Sequence, residues 1–341
     1  MGPTTNLTDE IECLRNVPEH YDPVEPYFGL TVRSGETLDG RFRLGEPIYN
    51  HGMATIFKAE DLADHGQTVA VKVPHLKYEA DPNFFSRFER EEEIGRQLDH
   101  PFILKFLPVE KKSRPYIVTE YLRGCTLAHL MVGRPLPERD APGITSLVCE
   151  AVQYMHEHGV VHRDLKPGNI MICRDRTIRI MDFGIASGST SRKITIGSRL
   201  ASPLGTHEYM APEQVKNERT DERTDIYSLG VILYEMLTGV LPFRHEDCWV
   251  AMSNRVTGDP VAPRTLNPGI SKQAEEIVLH AMQRDPADRY QTIKAFKADL
   301  DAPEKVFVSG YCNRLQCTLI ALGFITLQVL AFLLFSHVLK R

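Results

Sequence analysis

Eight consecutive residues, His162-Arg163-Asp164-Leu165-Lys166-Pro167-Gly168-Asn169, put a carboxylate, an ammonium and an amide within six positions of one another. Thirteen positions after Asn169 comes Asp182-Phe183-Gly184, and Ala211-Pro212-Glu213 follows later. Asn169 and Asp182 supply hard oxygen ligands, the kind Mg²⁺ prefers, from two different loops. Lys166 adds a cation to the same stretch. Upstream, Val69-Ala70-Val71-Lys72 is an apolar run ending on a second lysine. Taken singly, Asp164 and Asp182 read as turn residues whose side chains cap loops. Taken together, three motifs in this order and at this spacing are not explained by turn capping alone.

The elements that must position these groups fall into two halves. Residues 42–48, 55–60 and 69–73 alternate or run apolar and β-branched, as strands do. Residues 84–98 form a charged stretch with Phe85, Phe88, Ile94 and Leu98 on one face, which predicts an amphipathic helix. Strand character returns at 104–109 and 116–120. After Gly124 the pattern turns helical, at 141–157, 225–238 and 273–282. The class is therefore α+β, with a β-rich first part and a helix-rich second.

Composition narrows the function. The 341 residues are 42% hydrophobic and 25% charged, which fits an ordinary globular core. Forty Lys+Arg against 45 Asp+Glu leave a net charge of −5, so no positive field exists to hold nucleic acid. Seven cysteines (13, 125, 149, 173, 248, 312 and 317) show no C-x-x-C pair, which fits a reducing compartment and no zinc module. Residues 1–33 carry acids and prolines and lack the apolar core of a signal peptide. Residues 315–339 are 25 positions without Asp, Glu, Lys or Arg, long enough for one transmembrane helix across a bilayer core of roughly 30 Å. Only two residues follow, so the expectation is a single-pass tail anchor with the soluble mass on one side. Basic residues flank both ends, so charge does not settle orientation.

H-R-D-L-x-x-x-N, D-F-G and A-P-E, in that order and at these spacings, resemble the protein-kinase superfamily. The resemblance covers about residues 42 to 300. It implies a bilobal kinase-like fold, with residues 1–41 as an N-terminal extension and 42–301 as the kinase domain. The N-lobe is about 42–120 and the C-lobe about 121–301; 302–314 is a linker and 315–339 the membrane helix. It further implies ATP and Mg²⁺ (or Mn²⁺) as cofactors and transfer to Ser or Thr hydroxyls of proteins, because H-R-D-L-K-P looks like the Ser/Thr branch. Asp164 is then the catalytic base and Lys166 the cation beside the γ-phosphate; Asn169 and Asp182 hold the metal. Lys72 meets the α/β-phosphates and pairs with Glu91, chosen by the family pattern from Glu89, Glu91, Glu92 and Glu93. Main-chain groups of Glu120 and Leu122 meet the adenine, and Gly52, Ile48, Ile56 and Ala70 line the nucleotide. Asp225 braces the catalytic loop, and Arg289 pairs with Glu213. Residues 53–61 and the H-R-D-L-K-P-G-N loop look most like bacterial members, which implies a cytoplasmic kinase domain under the plasma (inner) membrane.

The sequence departs from the pattern at the glycine-rich loop. Tyr49, His51 and Ala54 stand at the three glycine positions, and only Gly52 beside them is glycine. Side chains there limit how closely backbone approaches phosphate, so weaker nucleotide binding is expected. Tyr49 and His51 read as exposed residues of a hairpin tip. Residues 185–210 are rich in Ser and Thr and read as an activation loop, with autophosphorylation expected among Ser191, Thr195 and Ser198. Gly205-Thr206 would by resemblance shape the site for the acceptor hydroxyl. Self-association for trans-autophosphorylation fits this reading. The alternative is a pseudokinase acting as a membrane-bound nucleotide- or protein-binding scaffold. A small-molecule phosphotransferase is disfavoured by the A-P-E segment.

Overall fold

β-Branched and aromatic runs separated by turns make the first half a sheet. A computed structural model describes residues 32–51, 53–79, 81–183, 187–188 and 207–308. The chain divides into two units, Met1–Lys305 and Val306–Arg341, and nearly all described residues belong to the first. Five antiparallel strands lie side by side in sequence order: β1 Thr37–Leu38, β2 Phe42–His51, β3 Ala54–Asp61, β4 Gln67–Pro74 and β5 Ile117–Glu120. β2 runs three residues past the expected end at 48, because Tyr49, Asn50 and His51 still pair with Ile56, Thr55 and Ala54. The register shifts around Pro47, which lacks the N–H a regular ladder needs. Phe42, Leu44, Phe57, Val69, Val71, Val73 and Tyr116 fill the core on one face, joined by Val32 and Leu38 from before residue 42.

The expected strand at 104–109 is not a strand. Leu107 N–H donates to the Val118 carbonyl (2.8 Å) and Glu120 N–H to the Lys105 carbonyl (2.9 Å), with one isolated bridge, Phe106 to Thr119. Pro108 follows at once and has no N–H with which to continue the ladder.

The long helix of the first lobe is Pro82–Gln97, two residues earlier than expected because Pro82 suits a first helical position. The second lobe is helical: Ala141–Glu157 as expected, then Arg223–Thr238, Cys248–Thr257, Lys272–Ala281 and Ile293–Asp301. Ser271 caps Lys272–Ala281 by accepting the Ala274 N–H at 3.1 Å. Arg223–Thr238 ends on Gly239, whose φ of 76° is the left-handed cap that glycine adopts freely. Three short strands that periodicity did not reveal, β6 Gly124–Thr126, β8 Ile170–Cys173 and β9 Ile178–Ile180, form a sheet in the order β6-β8-β9. β7, Val160–Val161, pairs with β10, Ser187–Gly188. The H-R-D and D-F-G motifs thus sit on loops flanking β8 and β9. Among the described residues no helix is long and apolar enough to cross a membrane. Residues 315–339, Gly52 and most of 185–206 lie outside the described residues.

Candidate active site

β4 and the Pro82–Gln97 helix bring the first pair together. Lys72 Nζ lies 2.7 Å from both carboxylate oxygens of Glu91. Helical register selects this glutamate: Phe88, Glu91 and Ile94 are buried, whereas Glu89 and Glu93 point outward. Burial works against charge on Lys72, but the Glu91 and Asp182 carboxylates outweigh it and hold its pKa above the ordinary lysine value. The ammonium therefore stays charged throughout the neutral range. Glu92, next along the helix, is gripped by Lys112, whose Nζ is 2.6 Å from both its oxygens and from the Tyr116 carbonyl.

Asp164, 9% exposed, receives Lys166 Nζ on Oδ2 at 3.2 Å. The Asn169 amide nitrogen donates to the Asp164 carbonyl at 2.9 Å, which leaves its amide oxygen as the ligand atom. Asp182 has φ 63°, in the left-handed region that non-glycine residues rarely adopt. The Asp182 carboxylate, like Asp164, acts on Lys166: burial opposes its charge, yet the two acids raise its pKa, Asp164 the more strongly. Asp182 thus bears on both Lys72 and Lys166, so lysines far apart in sequence share one anionic neighbour. Hard oxygens at Asn169 and Asp182 fit Mg²⁺. Among the described residues there is no cluster of three or more His, Cys, Asp or Glu that could hold a metal.

The loop is fixed from beneath. Asp225, 0% exposed, accepts the backbone N–H of His162 (2.9 Å) and Arg163 (2.8 Å) and faces His156 Nε2 at 2.8 Å. Burial favours the neutral acid, but the contacts from His156 and the Arg163 N–H outweigh it and depress the pKa below 3.8. A depressed carboxylate stabilises above its unfolded pKa and loses that contribution as pH falls through the folded value. The stability gap between the wild type and Asp225→Asn is therefore expected to hold from neutral pH to about 3.8 and to shrink below it. Urea titrations across that range check this; a gap already closing near neutral pH counts against it.

A stack of rings ties the loop to the helix. His162 lies on Phe183 (5.7 Å between centroids) and Phe183 on Phe106 (5.9 Å). Phe106 fills a notch at Gly95, where an added Cβ would come within 2.4 Å of its ring. Alanine normally favours a helix over glycine by about 1 kcal/mol. Here Gly95→Ala is expected instead to destabilise by roughly 1–3 kcal/mol, because overpacking wins. A melting temperature that rises in this variant would refute the notch.

Of the nucleotide-lining candidates, Ile56 sits opposite Lys72 in register, Ala70 opposite Lys58 and Thr119, and Tyr49 opposite Ile56. Ala70 and Leu122 are buried, and Ile48 and Ile56 are half-buried. The Glu120 N–H donates to the Lys105 carbonyl (2.9 Å) and its carboxylate accepts from Lys105 N–H (3.0 Å) and Arg179 Nε (3.2 Å). Leu122 packs with Met171 and Cys173. Tyr49, read from sequence as a hairpin-tip residue, is 50% exposed. Gln214 was not singled out: it accepts the Ala211 N–H (2.9 Å) and donates to the Arg163 carbonyl (2.9 Å), joining the A-P-E segment to the catalytic loop. Its position just after that motif was the available signal. The expected Arg289–Glu213 pair is present at 2.7 Å.

A protein kinase domain model matches residues 51–300. The chain is 37% identical over 271 residues to the serine/threonine-protein kinase PknB of Mycolicibacterium smegmatis, covering 77% of the chain and 43% of the relative. A probable serine/threonine-protein kinase of Streptomyces coelicolor is 38% identical over 272 residues (78% and 40%). The serine/threonine-protein kinase PrkC of Bacillus subtilis is 34% identical over 268 residues (78% and 41%). The chain thus matches well under half the length of these curated relatives.

Proposed function

The chain belongs to the protein kinase family, and on that premise we propose a bacterial, eukaryotic-like serine/threonine protein kinase that transfers the γ-phosphoryl group of ATP to protein hydroxyls. One observation carries the reading: Lys72, held by Glu91, and Lys166, held by Asp164, both feel the Asp182 carboxylate. When bound, ATP and a divalent cation supply the phosphoryl donor and neutralise its charge. The Asn169 amide oxygen and Asp182 would hold the cation, and Lys72 would bind the α/β-phosphate oxygens. Lys166 offsets negative charge on the transferred group. Asp164 would orient the acceptor hydroxyl and take its proton as the new oxygen–phosphorus bond forms and the bond from the γ-phosphorus to the β,γ-bridging oxygen breaks, with ADP as the leaving group. The PknB and PrkC likenesses support Ser and Thr as acceptors.

The finer assignments extend this proposal. The kinase domain spans residues 42–301, with 1–41 as an extension and 302–314 as a linker. The uncharged run 315–339 supports a single membrane anchor, and the resemblance to bacterial members supports a cytoplasmic side for the kinase domain. Ser191, Thr195 and Ser198 would take phosphate from a second copy of the chain. The scaffold reading draws on Tyr49 and His51 at glycine positions, whereas the paired lysines and intact acids favour catalysis. Incubating the full chain with labelled ATP, Mg²⁺ and a general acceptor protein tests the proposal. Transfer confined to Ser and Thr is expected; nucleotide binding without transfer would leave the scaffold.

A further inference from the structure

Arginine is costly to bury, and a buried one normally faces a carboxylate. Arg255, on the Cys248–Thr257 helix, is 1% exposed and directs both terminal nitrogens at main-chain carbonyls, with the Glu208 carboxylate a lesser electrostatic neighbour. One terminal nitrogen donates to the His207 carbonyl and the other to the Glu208 carbonyl at 2.6 Å. The guanidinium lies 5.8 Å from the Phe243 ring centroid, with the Tyr227 phenol alongside. The third carbonyl in the row, that of Tyr209, accepts from Ser228 Oγ at 2.9 Å, and the Tyr209 hydroxyl donates to Glu235 at 2.6 Å. Three successive carbonyls are thus taken by side chains from two helices.

The segment so fixed runs directly into Ala211–Gln214. Gln214 donates to the carbonyl of Arg163, the residue beside Asp164. Residues 207–214 are therefore joined, through Gln214, to the residue next to the proposed base, which is where an acceptor chain would approach Asp164. An arginine with a fixed two-pronged donor can set the direction of two adjacent peptide planes at once. A packing role alone would be met by an aliphatic residue, since Ala251 and Met252 already fill the same helix face.

We infer that Arg255 is a positioning residue for the protein acceptor: it sets the path of residues 207–209 beside Asp164 and so governs acceptor binding, while nucleotide binding does not depend on it. This rests on the kinase reading proposed above and adds the residue that shapes its acceptor side.

The test uses the full chain with dephosphorylated casein as acceptor and ATP varied independently. Arg255→Lys keeps the charge but loses the second prong. Its KM for casein is expected to rise roughly tenfold, the scale of one charge-assisted hydrogen bond, with KM for ATP essentially unchanged. Ser228→Ala, which frees only the Tyr209 carbonyl, is expected to raise casein KM in the same direction by less. An unchanged casein KM in Arg255→Lys overturns the inference. So does a matched rise in both KM values together with a lower melting temperature, because that marks general loosening. Should Arg255→Lys fail to fold, Ser228→Ala decides alone by whether its casein KM rises selectively. A wild-type chain that transfers nothing removes the kinase reading and this inference together. A wild-type chain that transfers, with variants that leave casein KM unmoved, removes this inference only.

Discussion

Asp164→Asn is expected to lower phosphoryl transfer to a protein acceptor by about 10²–10⁴-fold, the range for loss of a positioned general base. Asparagine keeps the volume and the contact with Lys166, which now lies 3.2 Å from a carboxylate oxygen. It cannot accept the hydroxyl proton. The carboxylate is also the centre of a small network, since Asn169 donates to the Asp164 carbonyl at 2.9 Å and to Oδ2 at 3.4 Å. On the proposed reading nucleotide affinity rests on Lys72, Asp182 and Asn169, so it is expected to survive the change. Single-turnover transfer of labelled phosphate, with nucleotide binding measured separately, reads both quantities. A variant within a few-fold of wild type would remove Asp164 from the base role. Loss of nucleotide binding in step with transfer would reassign the residue to holding the loop together.

Arg289→Met is expected to cost about 3–5 kcal/mol of stability, the scale for breaking a buried ion pair from one side. Arg289 is 0% exposed at its side chain, and two of its nitrogens reach Glu213 at 2.9 and 2.7 Å. Its remaining donors go to the carbonyls of Gln283 (2.7 Å), Arg223 (2.9 Å) and Arg284 (3.1 Å). Tyr227 stacks on the guanidinium at 4.8 Å, and Thr224 Oγ1 adds a hydrogen bond to Glu213 at 2.8 Å. Removing the arginine leaves a carboxylate dry with one hydroxyl partner. Adding Glu213→Gln to Arg289→Met takes away that orphaned charge, so the double variant is expected to regain part of the loss. Urea unfolding of the four proteins in a double-mutant cycle gives the coupling directly. A single-variant loss below about 1 kcal/mol, the surface-pair range, would contradict the picture of a dry, essential pair.

Much of the site was readable because its chemistry is local in sequence. Asp164, Lys166 and Asn169 lie within six positions, so chain geometry keeps them near one another whatever the rest does. The 3.6-residue period placed Phe88 and Ile94 on one face and the family pattern chose Glu91, and the structure buries all three. Where prediction failed, the cause was backbone hydrogen bonding. The run at 104–109 looks like a strand by side-chain type, yet Pro108 cannot donate and the ladder stops. β6, β8 and β9 are three or four residues each, too short for a period to show. Arg255 gave no signal as a positioning group because its partners are carbonyls, which every residue carries. Its spacing from Ala251 and Met252 put it on their inward face and was the only clue.

Sequence alone carried the family resemblance, the candidate acids and lysines, and the split into a β-rich first part and a helix-rich second, since those follow from residue type and spacing. Tertiary structure decided which glutamate meets Lys72, that Asp182 bears on two lysines at once, and that a buried arginine holds the His207 and Glu208 carbonyls. These depend on distances between segments tens to hundreds of residues apart. Burial and register set such distances, because desolvating a charge is tolerable only where a partner is already in place.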